Sequence, residues 1–373
     1  MILPLERDEL LSRWEGWRHF AEDPALEKPQ SLSAKLIDKL GEDERIAYDY
    51  HRERYHANFL VTTPQVKRLN VRLWDLLDAN QQGPSRVKGA AIVDSPPGLG
   101  KTTAVDAFGR AFHRRQILRH GKDFDDGQTL HIPVCHVAFK GNTNTRALNE
   151  AILNFYNHPS AEAADTRYLR NRNLATLAAE SVRRHGTRLI IVDDVHFLKI
   201  PTDAGEAVAN ELKWLANEYP ATFLFTGVNM TETGLLSESK TSKNLAMSQI
   251  ARRWTRLTLP PFEHPVGDHR KPWLSLLGTI ETHLVLANAR PRMLRGQADY
   301  LYERSTGMIG SLFKLITLGA VHAMRDGTEE LTREVLDEID IDVAAEDARE
   351  VVAKELEEKK SGTAKRRKPR AAA

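Results

Sequence analysis

The stretch at residues 90–108, AAIVDSPPGLGKTTAVDAF, constrains the fold more than any other part of the chain. A short apolar run leads into a loop rich in proline and glycine, and the loop opens directly into a helical pattern. The loop follows the phosphate-binding pattern G-x-x-x-x-G-K-[ST], with Gly100, Lys101 and Thr102 in register and Ser95 where the first glycine belongs. In such a loop, backbone N–H groups converge on phosphate oxygens at a helix N-terminus, and the lysine reaches the terminal phosphates. None of those contacts uses a side chain at position 95. Serine is therefore acceptable wherever the backbone avoids glycine-only dihedrals. Residues Ser95, Pro96, Pro97, Gly98, Leu99, Gly100, Lys101, Thr102 and Thr103 form the expected cradle for ATP, with the Thr102 hydroxyl on Mg²⁺.

A nucleotide site of this kind needs a second strand that ends in acid, and RLIIVDDVHFL supplies one. Asp193 follows four apolar residues and suits the carboxylate that organises Mg²⁺. Asp194, beside it, stands where an attacking water is oriented or deprotonated. Four short β-rich runs, VKGAAIVD, HIPVCHVAF, TRLIIVDDV and ATFLFTGV, are nearly continuous in apolar residues. Strands covered on both faces in a parallel sheet read this way. With helical segments between them, they predict an α/β core of three layers with a parallel sheet.

At 373 residues the chain has room for two or three domains. The spacing predicts an N-terminal helical extension over 1–62, a nucleotide-binding core over 63–262, a small helical lid over 263–342, and a charged helix with a basic, disordered tail over 343–373. Within the extension, RDELLSRWEGWRHFAED and DERIAYDYHRERYHANFL are the clearest helices, and the next helix opens at Thr63–Pro64 and stops at Gly83. In the lid, Ile309, Leu312, Phe313, Ile316, Ala320 and Ala323 make one apolar stripe at helical spacing.

Net charge is only +2, so a globally basic binder of nucleic acid is not indicated, yet seven positive charges fall between Lys359 and Arg370. They read either as a solvated tail or as an arm for DNA phosphates. No apolar run is long enough to span a membrane, and the N-terminus lacks the order of a signal peptide. The single cysteine, Cys135, sits in a strand-like run as a small buried hydrophobe and fits a reducing, cytoplasmic setting.

SPPGLGKT, LIIVDDVHFL, FLFTGVN and QIARRWTRLTLPPF occur in the order of an AAA+ ATPase core. The lid segments WLSLLGTIETHL and STGMIGSLFKLITLGAVHAMRDGTEELTREVLDEI, with the upstream YHANFLVTTPQVKRLNVRLWDLL, resemble the TniB/TnsC-type transposition ATPases over roughly residues 45–342. That resemblance implies a protein that binds ATP and Mg²⁺ between subunits and assembles on double-stranded DNA, without sequence specificity, as a ring or helical filament. It would link the target to a transposase and a target-selection protein, and hydrolysis would trigger disassembly. It also implies that Arg253, with Arg252 as second choice, is a finger on a neighbouring subunit's γ-phosphate. Asn229, with Thr226 as competitor, would be the polar sensor of the attacking water. Lys140, Thr143 and Thr145 lie in the segment that faces DNA in this family, although a helix cap at NTNT explains those residues equally well.

The chain departs from the family in three places. Ser95 replaces glycine. Asp194 stands where glutamate is usual, which shortens the reach of the base and implies slow hydrolysis. Gly310 occupies the position of a lid arginine, with Lys314 a weak substitute. Three other readings compete: a STAND-like signalling or defence switch, because VDDV fits those proteins too, a replication initiator or helicase loader on the same core, and an ATP-locked scaffold that never turns over.

Overall fold

The structure, a computed structural model, describes residues 10–82, 88–124, 126–138, 145–162, 171–194, 218–228 and 254–367. The described residues divide into two compact units, one of 10–24 with 65–259 and one of 25–64 with 260–367.

The first unit is built on five parallel strands, β1 (Ala90–Asp94), β2 (Val134–Ala138), β3 (Leu189–Asp193), β4 (Thr222–Gly227) and β5 (Trp254–Leu257), in the order β2-β3-β4-β1-β5. The four expected strands are present and buried almost throughout. β5 was not expected as a strand. Among the described strands it lies at the edge, bonded to β1, and its Thr255 and Arg256 are exposed, so the apolar run that marks the others is missing. Helix α5 (Lys101–His120) carries the chain from β1 past two strands to β2, while α6 (Thr145–Phe155), α7 (Pro159–Glu162) and α8 (Asn171–Arg184) bring it back to β3. Right-handed crossovers in opposite directions put these helices on opposite faces of the sheet, which gives the three layers.

Two helices that precede β1 belong to this unit. α4 (Pro64–Gln82) starts at the expected proline and packs Trp74 against Phe108 of α5; Gly83 lies outside the described residues. α1 (Trp14–Glu22) lies on α5 through Trp17, which has no exposed surface. Trp17 stacks on His136 of β2 at 5.4 Å and donates its Nε1–H to His113 Nδ1 at 3.3 Å. Gly109 makes room for the indole: a Cβ there would stand 2.8 Å from Trp17 Cη2 and 2.6 Å from Ile191 Cδ1. Cys135 is buried in β2 as expected, and burial pushes its thiol pKa up.

The second unit is helical: α2 (Ala34–Ile37), α3 (Glu42–Asn58), α9 (Arg270–His283), α10 (Ala298–Ser305), α11 (Ile309–Asp326), α12 (Arg333–Asp337) and α13 (Val343–Arg367). Its apolar core gathers Trp273, Leu277, Leu301, Leu312, Leu315 and Ile316, and Tyr55 and Phe59 from the α3 region join it. The N-terminal stretch expected as one extension is thus shared between the two units. What ties α3 in is Arg52, fully buried, whose guanidinium donates to both carboxylate oxygens of Glu329 at 2.7 and 2.9 Å and to the Val285 carbonyl.

α13 corrects one expectation. Its backbone continues as helix to Arg367, so residues 359–367 do not begin a disordered tail. Its inner side explains this. Leu356 is completely buried, His264 lies 3.1 Å from Glu355, and Lys360 pairs with Asp299 at 2.9 Å.

Candidate nucleotide site

Parallel register brings the acidic strand ends to one edge of the sheet. Asp94 of β1 stands opposite Gly227 of β4, and Val192 of β3 opposite Phe225, so Asp94, Asp193 and Thr226 reach the C-terminal edge together. The loop between β1 and α5 opens at that same edge. Its two glycines, Gly98 and Gly100, have φ of 75° and 71°, a region costly for residues with a Cβ. Ser95 has no positive φ, which is why a side chain is admitted there.

Ser95 also does something a glycine could not. Its hydroxyl donates to the Asp94 carbonyl at 2.7 Å and accepts the Leu259 N–H at 2.7 Å, which ties the loop to the segment that follows β5. Pro96, Pro97 and Gly98 are exposed and Leu99 is buried, so the loop projects its middle outward from an apolar foot. The Lys101 ammonium lies under the loop, donating to the Ser95 carbonyl at 2.6 Å and the Pro96 carbonyl at 2.8 Å. Burial lowers the Lys101 pKa, while the carboxylates of Asp194, Asp94 and Asp193 pull it the other way. Thr102 and Thr103 are exposed in the first turn of α5, where unpaired backbone N–H groups and the helix dipole favour an anion.

Asp193 is the hub of the acidic side. Its Oδ1 accepts the Thr102 hydroxyl at 3.2 Å and also the Thr226 hydroxyl. Thr226 in turn accepts the Asp194 N–H at 3.1 Å. Asp194 is exposed and holds a left-handed backbone, φ 57°, a conformation that Asp tolerates better than most residues. A hydroxyl and a carboxylate oxygen side by side are hard donors suited to Mg²⁺. Among the described residues no three His, Cys, Asp or Glu side chains converge on a metal-sized site.

Sequence reasoning overlooked Arg256. Its guanidinium lies 2.9 Å from Asp94 Oδ2, a carboxylate only 3% exposed and directly below the loop. An uncompensated negative charge there would oppose a bound phosphate. The only prior signal was the acid-terminated β1 next to an arginine in an alternating strand. Of the other expected residues, Thr145 begins α6. Lys140, Thr143, Asn229, Arg252 and Arg253 lie outside the described residues.

Residues 85–234 match a family described as an AAA domain. The chain is similar to the Orc1 protein of Aeropyrum pernix, solved in complex with DNA, at 16% identity and a TM-score of 0.51, covering 74% of this chain and 64% of that one. It is similar also to Cdc6p from Pyrobaculum aerophilum, at 13% identity and a TM-score of 0.50, covering 76% of this chain and 69% of that one. Likeness at such identity is likeness of fold, and the chain spans less than two thirds of the Orc1 protein's length. Among curated proteins no sequence matches. The chain thus carries an AAA+ core with a five-stranded parallel sheet and additional helical regions. No single helix among the described residues is long and apolar enough to cross a membrane.

Proposed function

We propose that the protein is a Mg-ATP-dependent switch that assembles on duplex DNA and regulates transposition, with ATP hydrolysis ending the assembled state. The observation that carries the nucleotide part is the chain Thr102–Asp193–Thr226–Asp194 facing a loop with two left-handed glycines. In this reading Lys101 neutralises the terminal phosphates, Thr102 and Asp193 hold Mg²⁺, and Asp194 orients the attacking water. The Mg²⁺ ion, when bound, offsets charge on the phosphate oxygens. Thr226, hydrogen-bonded to both acids, takes the sensor role for which Asn229 was the first choice, and Arg253 acts in trans on a neighbouring subunit.

DNA binding and homo-oligomerisation rest on the resemblance of the core and lid segments to the TniB/TnsC-type ATPases. The DNA complex of the similarly folded Orc1 protein supports the first of these. A replication-initiator role is the second reading, favoured by the two solved structures that share the fold. Lys140, Thr143 and Thr145 remain the proposed DNA contacts, and a transposase and a target selector the proposed partners.

Sedimentation of the protein with duplex DNA, with and without ATP, tests the reading. Large complexes that need both ligands, and that Lys101→Ala abolishes, are the expected outcome. Assembly indifferent to Lys101→Ala rejects it. A stoichiometric complex confined to one DNA sequence supports the initiator instead.

A further inference from the structure

At the opposite edge of the sheet from the phosphate loop, where β1, β3 and β4 begin, the first unit has a half-open cavity of about 480 Å³. That volume falls in the range of sites for small organic ligands. We infer that this cavity is a second ligand site, for a small phosphorylated molecule that carries a flat ring and is about the size of a mononucleotide.

The lining combines aromatic and cationic groups. The ring of Phe124, 39% exposed, meets His131 edge-on at 5.6 Å. Gly186 allows both rings to come close, since a Cβ there would lie 2.7 Å from Phe124 Cζ and 3.2 Å from His131 Cδ2, and its φ of 63° suits glycine. This aromatic wall is an apolar face for a planar ring.

Cationic side chains line the same cavity: Arg188, which directly precedes β3, is exposed and stands in the lining with Lys88, while the His120 ring meets His131 edge-on at 6.1 Å. Asp123 is the one acid among the described lining residues. A guanidinium binds phosphate oxygens in pairs, and an ammonium adds a point charge. Burial lowers the His131 pKa, the hydrogen bond to the Gly121 carbonyl raises it, and the Coulombic effects of His120 and Arg188 lower it in smaller measure. Because His131 Nδ1 bonds the Gly121 carbonyl at 2.9 Å, Nδ1 is the donor and the neutral ring keeps an acceptor at Nε2.

The inner wall is polar: Gln116, 2% exposed, stands in the lining, with its Nε2 turned away from accessible space. Asn80 is satisfied: its side chain bonds both backbone groups of Gly89 and the Thr222 hydroxyl, which fixes the floor.

The test follows the C2–H resonances of His120 and His131 in the full chain while AMP, adenosine or inorganic phosphate is added. AMP is expected to shift both resonances and to raise the His131 titration midpoint, because a bound phosphate replaces repulsion by attraction. Adenosine and phosphate alone are expected to bind at least ~10-fold more weakly. Arg188→Gln should remove the AMP effect, whereas Lys101→Ala should leave it intact. No response to AMP up to about 10 mM, a range that already covers very weak binding, overturns the proposal. So does an AMP effect that Lys101→Ala abolishes, since the signal would then originate at the phosphate loop. Phosphate alone matching AMP overturns the assignment of the aromatic wall.

Discussion

The hydroxyl of Thr226 donates to Asp193 Oδ1, the same oxygen that accepts from Thr102, and its own oxygen receives the Asp194 N–H. One side chain on β4 therefore aligns both acids at the end of β3. Thr226→Val keeps the shape and deletes the hydroxyl, which removes one of the two hydroxyl bonds to Asp193 Oδ1 and the hydroxyl acceptor of the Asp194 N–H. The expected cost is about 1–3 kcal/mol of stability, read by denaturant titration, together with slower ATP hydrolysis. Thr226→Ser should restore both; a serine variant as impaired as the valine one would mean that the methyl group, not the bond, matters.

Asp194 separates fold from chemistry because its backbone is left-handed. Asp194→Gly suits that φ, so stability should hold within about 1 kcal/mol. Hydrolysis should nevertheless fall by ~10²–10⁴ if the carboxylate handles the water. Single-turnover hydrolysis beside a thermal melt distinguishes the two effects.

Arg256 compensates Asp94 beneath the loop. Arg256→Gln should weaken nucleotide binding by about tenfold, since an uncompensated carboxylate would then face the phosphates. The loss should diminish in Asp94→Asn, where no charge needs compensating. Equal affinities in the wild type and Arg256→Gln would reduce the pair to a structural role.

Two buried histidines set an acid limit on the fold. His56 Nε2 accepts the Val285 N–H at 2.9 Å and His113 Nδ1 accepts the Trp17 indole, so both serve as neutral acceptors. Burial pushes each pKa down from 6.5 to about 4. The unfolded chain therefore takes up protons at higher pH than the folded one. Stability is complete above pH 6.5 and declines as pH falls toward 4, by up to about 3 kcal/mol for each histidine. Denaturant titrations across that range should show the decline, and His113→Gln should make it shallower.

The parts of the fold that were legible are those whose signal is local. β1 to β4 are apolar on both faces, and the phosphate loop announces itself by spacing. β5 was not legible because half of it faces solvent. α10 was missed because ADYLYERS looks polar, although Tyr300, Leu301, Tyr302 and Arg304 are buried. Arg304 is accommodated by the carbonyls of Leu336 and Ile339 and by Glu346, partners more than thirty residues away in the chain. Arg52 hides its role in the same way, behind an acid 277 residues distant. In the site itself, Lys101, Thr102 and Asp193 were legible from the motif. The roles of Thr226 and Arg256 depend on strand order, which no local pattern encodes.

Ser95 turns the apparent flaw in the loop into information. A motif letter records only what the backbone at that position forbids, and at position 95 it forbids nothing a serine carries. Once a side chain is admitted, it can be recruited, and here it fastens the loop to the strand exit at Leu259. Glycine at 95 would bring the sequence closer to the pattern and the molecule further from its own wiring, with the Leu259 N–H left to find another acceptor.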